Sequence, residues 1–207
     1  MTEAGLHDGA EVVLVRIDGH LFATGTPHGV KLWHLENREC LQDFEPDDNG
    51  YISCFAFTAD ARQMAIGDTY GSIQIWDLET GLHGSSLEGH SGVVSCITFS
   101  PDGDSILTGC DDYTAKIWDR HTRECLKTLR GHGLNHDDDI FGESQDGNVS
   151  SVAFSPDGFL AATGSLDCTV KLWITESGQE EKTIEQYDGP VFSVAFSPCG
   201  DMVLVGT

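Results

Sequence analysis

Short runs in which apolar and polar residues alternate recur along the chain, each ending in tryptophan: Val30-Lys31-Leu32-Trp33, Ile73-Gln74-Ile75-Trp76, Ala115-Lys116-Ile117-Trp118 and Val170-Lys171-Leu172-Trp173. A period of two predicts strands. The tryptophans lie 43, 42 and 55 residues apart, so the runs are copies of one unit and the last interval carries an insertion. A second pattern recurs upstream of them. Val93 to Phe99 precedes Ser100-Pro101-Asp102-Gly103, Val149 to Phe154 precedes Ser155-Pro156-Asp157-Gly158, and Val191 to Phe196 precedes Ser197-Pro198-Cys199-Gly200. Proline second and glycine fourth suit a type I turn, so each copy predicts a β-hairpin. The chain reads as all-β, a series of small antiparallel sheets repeating every 42 or so residues.

Gly89-His90 with Trp118-Asp119, and Gly131-His132 with Trp173, resemble the blades of WD-repeat β-propellers. The resemblance covers nearly the whole chain and implies four-stranded blades near residues 9–35, 49–78, 89–119 and 131–175, with a partial blade over 187–207. It also implies that Cys40 to Phe44 and Cys125 to Leu129 are outermost strands. A ring of this family typically needs seven blades, roughly 300 residues, so the expectation is an incomplete propeller: a fragment, a truncated product or part of a longer chain.

The same resemblance places His90, Thr108, Asp112 and Trp118 in one hydrogen-bonded tetrad and His132, Thr163, Asp167 and Trp173 in another. A hydroxyl, an imidazole and a carboxylate together could be mistaken for a hydrolytic triad. The structural reading is favoured, because each buried group satisfies another and a nucleophile duplicated in every repeat makes poor catalytic sense. No catalytic residue, metal ligand or cofactor is assigned. In the first two copies His28 and Tyr70 stand where the turn aspartate belongs and no Gly-His precedes, so Trp33 and Trp76 are expected to pack without the tetrad.

Charge and composition narrow the function. With 11 Lys+Arg against 34 Asp+Glu the net charge is −23, which repels phosphate backbones and anionic lipid. Nucleic acid and membrane surfaces are poor partners, and Lys/Arg-rich proteins or peptides fit better. No apolar run is long enough for a membrane helix, and the polar N-terminus predicts no secretory signal. Seven cysteines without a Cys-x-x-Cys pair form neither a disulfide framework nor a zinc site. They fall in repeat register, which argues for packing, and the expected compartment is cytoplasmic or nuclear.

The insertion, residues 134–146, contains His136, Asp137, Asp138, Asp139, Phe141 and Glu143, and Asp111 adds charge on the same expected face. It reads as a solvated loop, as a clasp for a basic peptide, or as a cation loop. The last is disfavoured because the carboxylates are consecutive instead of alternating. The leading function is a non-enzymatic protein-interaction scaffold. A ubiquitin-ligase substrate receptor is the alternative, but Trp76-Asp77-Leu78-Glu79 and Trp118-Asp119-Arg120-His121 lack the terminal arginine such receptors often carry. A propeller-based enzyme would need a non-repeating polar cluster, absent outside the insertion.

Overall fold

The computed structural model describes residues 14–16, 21–45, 50–133, 147–184 and 188–207. All regular elements among them are strands. The first sheet holds β1 (Leu14–Arg16), β2 (Leu21–Thr26), β3 (Gly29–His34) and β4 (Cys40–Phe44) in that order, and the second holds β5 (Ile52–Phe57), β6 (Gln63–Asp68) and β7 (Ile73–Asp77). The third contains β8 (Val94–Phe99), β9 (Ser105–Cys110), β10 (Thr114–Asp119) and β11 (Cys125–Arg130), and the fourth β12 (Val149–Phe154), β13 (Leu160–Ser165), β14 (Val170–Ile174) and β15 (Glu180–Ile184). A hairpin of β16 (Ser193–Phe196) and β17 (Val203–Gly206) follows. Every pairing is antiparallel, and the inner strands β5, β8, β12 and β16 pack consecutively, as in a propeller.

The expected alternation is lost on the central strands β6 and β9, whose sheets are covered on both faces, and survives in β2 and in the terminal hairpin. Strand β9 buries Ile106 through Cys110 without a break. One apolar layer fills each gap between sheets: Trp76 packs with Phe44 and Met64 toward the first sheet, Trp118 with Ile73 and Leu87 toward the second, and Trp173 with Ile117 and Leu129 toward the third. An indole buried in this way removes about 200 Å² from water, a gross gain on the order of 5 kcal/mol. Close approach demands glycine at one register position. A Cβ on Gly67 would stand 2.8 Å from Val94, and one on Gly109 2.6 Å from Val149.

Bulges on the inner strands tie neighbouring sheets together. The ladders shift between Ile52 and Cys54, Val94 and Cys96, and Val149 and Ser151, which frees Ser53, Ser95 and Ser150 from pairing. Each hydroxyl donates to a carbonyl of the next sheet: Ser53 to Val94, Ser95 to Val149, Ser150 to Val191. The hairpin turns also form as expected, with Gly103, Gly158 and Gly200 N–H donating to Ser100, Ser155 and Ser197 at 2.9 Å.

Two expectations need correction. The second sheet has three strands instead of four. Its outer segment keeps register, with Trp76 opposite His83 as Trp118 is opposite Cys125, but survives only as isolated bridges at Ile73–Leu87 and Trp76–His83. Gly81, Gly84 and two serines in this segment give it little strand preference. The cysteines are not uniformly packed either. Cys110 is buried, but Cys40 and Cys125, at the exposed start of outer strands, and Cys199, in a turn, face solvent.

Candidate functional site

Each complete network joins four stretches of chain. In the third sheet His90 precedes β8, Thr108 lies on β9, Asp112 in the β9–β10 turn and Trp118 on β10. Trp118 Nε1 donates to Thr108 Oγ1 at 2.9 Å, His90 Nε2 meets the same oxygen at 2.8 Å, and His90 Nδ1 lies 2.9 Å from Asp112 Oδ2. The fourth sheet repeats it: Trp173 to Thr163 at 2.9 Å, His132 Nε2 to Thr163 at 2.6 Å, and His132 Nδ1 to Asp167 at 3.0 Å. Thr108 and Thr163 are wholly buried.

The aspartates do the most. Asp112 Oδ1 accepts from the Thr114 N–H and hydroxyl while Oδ2 accepts from the Ser91 N–H, so one carboxylate holds the turn and the approach to β8. Burial alone would raise its pKa, but the Thr114 hydroxyl, His90 and the Ser91 N–H outweigh that and hold it at about 2. Asp167 is depressed further by His132, Thr169 and the Gly133 N–H, again against burial. Burial lowers the His90 pKa, opposed by Asp112. His90, Cys110 and Asp112 also offer a donor set of the kind metals use. The set does not suit one, since both His90 nitrogens are engaged and burial pushes the Cys110 thiol up to about 12.

The first two sheets solve the turn differently. Trp33 keeps the threonine bond, to Thr24 Oγ1 at 2.9 Å, whereas the position of Thr108 holds Ile66 in the second sheet and Trp76 Nε1 is buried with no hydrogen-bond partner. The turns are held by residues two places earlier than His28 and Tyr70. Thr26 Oγ1 accepts from the His28 and Gly29 N–H groups, and Asp68 Oδ1 from those of Tyr70 and Ser72 at 2.8 and 2.9 Å. The signal missed in the sequence was the Asx turn at Asp68 and its hydroxyl counterpart at Thr26, in which the first residue of a turn caps its own backbone.

Relieved of that task, His28 and Tyr70 are exposed on these turns. Tyr51 (56% exposed), Tyr70 (70%) and Tyr113 (46%) are exposed on the β4–β5 connection and the β6–β7 and β9–β10 turns, with His28 and Tyr51 edge to face at 5.4 Å. None was singled out from sequence as a partner-binding residue. Asp111 is half-buried here, its carboxylate over Gly92, where a Cβ would stand 1.8 Å away. His136, Asp137, Asp138, Asp139, Phe141 and Glu143 lie outside the described residues. The two residues that flank the insertion do not: Gly133, at φ +69°, and Gly147 meet so closely that a Cβ on Gly147 would stand 2.8 Å from the Gly133 Cα, and a Cβ on either would crowd the Tyr113 ring, at 3.3 and 2.9 Å.

The family model for the WD domain, G-beta repeat, matches residues 38–77, 82–119, 123–173 and 178–207. The first and third matches start at the outer strand of one sheet and run to the tryptophan strand of the next, so the sequence repeat straddles two sheets. The chain is 32% identical over 166 residues, 75% of its length, to Pre-mRNA-processing factor 17 of Saccharomyces cerevisiae, covering 32% of that protein. It is 28% identical over 72 residues, 35% of its length, to Meiotic fizzy-related protein 1 of Schizosaccharomyces pombe, covering 17% of that protein. It therefore spans a third or less of these relatives. The matched segments take in most of the chain and coincide with the sheets and tryptophan register described above: the chain belongs to the WD domain, G-beta repeat family.

Proposed function

We propose that this chain is a non-enzymatic interaction scaffold and that the face carrying the β6–β7 and β9–β10 turns and the insertion receives a basic segment of a partner protein. The observation that carries the proposal is the exposure of Tyr51, Tyr70 and Tyr113 on the β4–β5 connection and the turns of successive sheets, with Asp111 two residues before Tyr113 and the Tyr113 ring close to Gly133 and Gly147, which flank an insertion whose sequence is rich in aspartate. Aromatic faces and carboxylates together suit guanidinium and ammonium groups, which gain from both cation–π contact and pairing. The tetrads serve as scaffold. Their imidazoles have both nitrogens engaged and their hydroxyls are buried, so neither nucleophile nor base is open to a substrate. No cofactor or metal enters this reading.

The name of the yeast relative supports a partner in pre-mRNA processing, and so the nuclear half of the cytoplasmic-or-nuclear expectation. A net charge of −23 makes a protein component a better fit than RNA itself. The test is fluorescence anisotropy of an Arg/Lys-rich peptide against the chain and against two variants, Tyr113→Ala and the combined Asp111→Asn, Asp137→Asn, Asp138→Asn, Asp139→Asn. Each variant should weaken binding about tenfold, and the wild-type affinity should fall with added salt. Unchanged affinity in both would remove this face as the binding site.

A further inference from the structure

Two clefts occupy the same place in successive repeats, and their chemistry has diverged. The cleft between the third and fourth sheets, of about 420 Å³, is lined by Ile117, Leu126, Lys127, Thr175 and Glu176. Its counterpart between the second and third sheets, of about 330 Å³, is lined by Ile75, Leu82, Gly84, Arg120, His121 and Arg123. Counted from Trp118 and Trp173, the positions of Arg120, His121 and Arg123 are Thr175, Glu176 and Gly178 in the next repeat. One turn thus brings two guanidiniums and an imidazole to a single cleft of an otherwise acidic protein.

The surroundings accommodate those arginines at a cost. Arg123, like Arg38, holds the left-handed backbone, φ +64°, where Gly81 and Gly178 hold the same turn position. That conformation is unfavourable for any residue with a Cβ. The Arg123 guanidinium lies over Gly84, where a Cβ would come within 2.1 Å of Nη2, and its Nη1 donates to the Ser85 carbonyl and hydroxyl. Arg120 Nη1 donates to Gln63 Oε1 at 3.1 Å, but its Nε is buried with no hydrogen-bond partner. A buried donor of a charged group left in that state is unfavourable unless a ligand completes it.

The opposing carboxylates are Asp77 and Asp104, with Asp60 and Asp102 also within electrostatic reach of Arg120. Asp77 is engaged by the Thr80 and Glu79 N–H groups, and Asp104, 65% exposed, lies 3.2 Å from His121 and 3.8 Å from Arg120. An exposed pair at that distance contributes little and yields to a better acceptor. Lys31 and Lys171, by contrast, are closed into pairs with Asp43 and Glu180.

We propose that this cleft receives the oxyanion of an acidic side chain, carboxylate or phosphate, on an extended segment of a partner protein. Arg120 Nε–H and the Arg123 guanidinium are the donors, and Ile75 and Leu82 supply the apolar part of the lining. The probes are three peptides, Gly-Val-X-Val-Gly with phosphoserine, glutamate or serine at X, and inorganic phosphate, titrated into the whole chain carrying ¹⁵N-arginine. The acidic peptides should move the Arg120 and Arg123 Nε–H resonances saturably and the serine peptide should not. Whichever of phosphoserine and glutamate saturates first identifies the oxyanion. Arg120→Gln and Arg123→Gly should each weaken binding about tenfold or more. Arg123→Gly relaxes the turn, and unchanged indole resonances check that it folds. Equal response to the serine peptide, a response to inorganic phosphate alone, no response at all, or full affinity in folded Arg123→Gly would overturn the proposal.

Discussion

The third and second sheets bury the same tryptophan in the same register and treat its polar atom in opposite ways. Trp118 is 1% exposed and Trp76 6%, yet the first N–H ends on Thr108 within a closed network while the second has no acceptor. Burying the indole and satisfying it are therefore separable, and the fold requires only the first. Where Ile66 replaces the threonine, the second sheet gains apolar contact with Phe55 and Trp76. It loses the link from core to turn, and Asp68 holds the turn alone. The consequences gather in one place. Ser72 Oγ, Gln74 Oε1 and Trp76 Nε1, three buried polar atoms without partners, lie on or next to β7, and Arg120, whose buried Nε is also unpartnered, lines the cleft beside it.

The sharpest way to break this comparison is to remove the hydroxyl from a complete network. Thr163→Val orphans both Trp173 Nε1 and His132 Nε2 and should cost about 3 kcal/mol in urea unfolding. A cost below about 0.5 kcal/mol would mean that the network adds nothing to burial.

Acid should act next. Asp112 is held at about 2, below its ordinary 3.8, so its contribution is complete above the ordinary value and is lost as pH falls through the folded one. For this largely buried carboxylate that is on the order of 2 kcal/mol. His90 acts in the same sense: its depressed pKa means the unfolded chain takes up the proton first, so stability begins to fall below pH 6.5. Unfolding midpoints from pH 7 to pH 3 should decline for the wild type and decline less for Asp112→Asn; parallel curves would refute the assignment.

A smaller effect sharpens the second sheet. Valine normally replaces buried isoleucine at less cost than threonine does, but Ile66→Thr should be at least as stable as Ile66→Val. The new hydroxyl would supply the acceptor Trp76 lacks, worth about 1 kcal/mol. The usual order would show that the indole N–H carries no penalty. Smallest is thiol chemistry. Burial raises the Cys96 and Cys110 pKa to about 12, whereas the Ser197 hydroxyl lowers that of exposed Cys199. Iodoacetamide should modify Cys199 well before Cys96 or Cys110, as read by peptide mass spectrometry.

Tryptophan spacing and turn tetrapeptides made the repeat and its strands legible, because both record constraints that recur in every copy. The expectation of networks at Thr108 and Thr163 rested on the resemblance to WD-repeat blades. What escaped lay where copies differ. Asp68 and Thr26 cap turns from an unexpected position, Ser53, Ser95 and Ser150 act through bulges that periodicity cannot show, and the outer segment of the second sheet is too weak in strand preference to complete its ladder. The arginine-lined cleft escaped because its residues come from Gln63, Gly84 and the 120–123 turn, which only the packing of two sheets brings together.

The direct measurement is hydrogen exchange at the four indole N–H groups by NMR. Trp118 and Trp173 should exchange slowly, being held by buried threonines, and Trp76 should exchange fastest of the buried three despite its 6% exposure. Exchange at Trp76 as slow as at Trp118 would contradict the separation of burial from satisfaction on which the comparison of the two sheets rests.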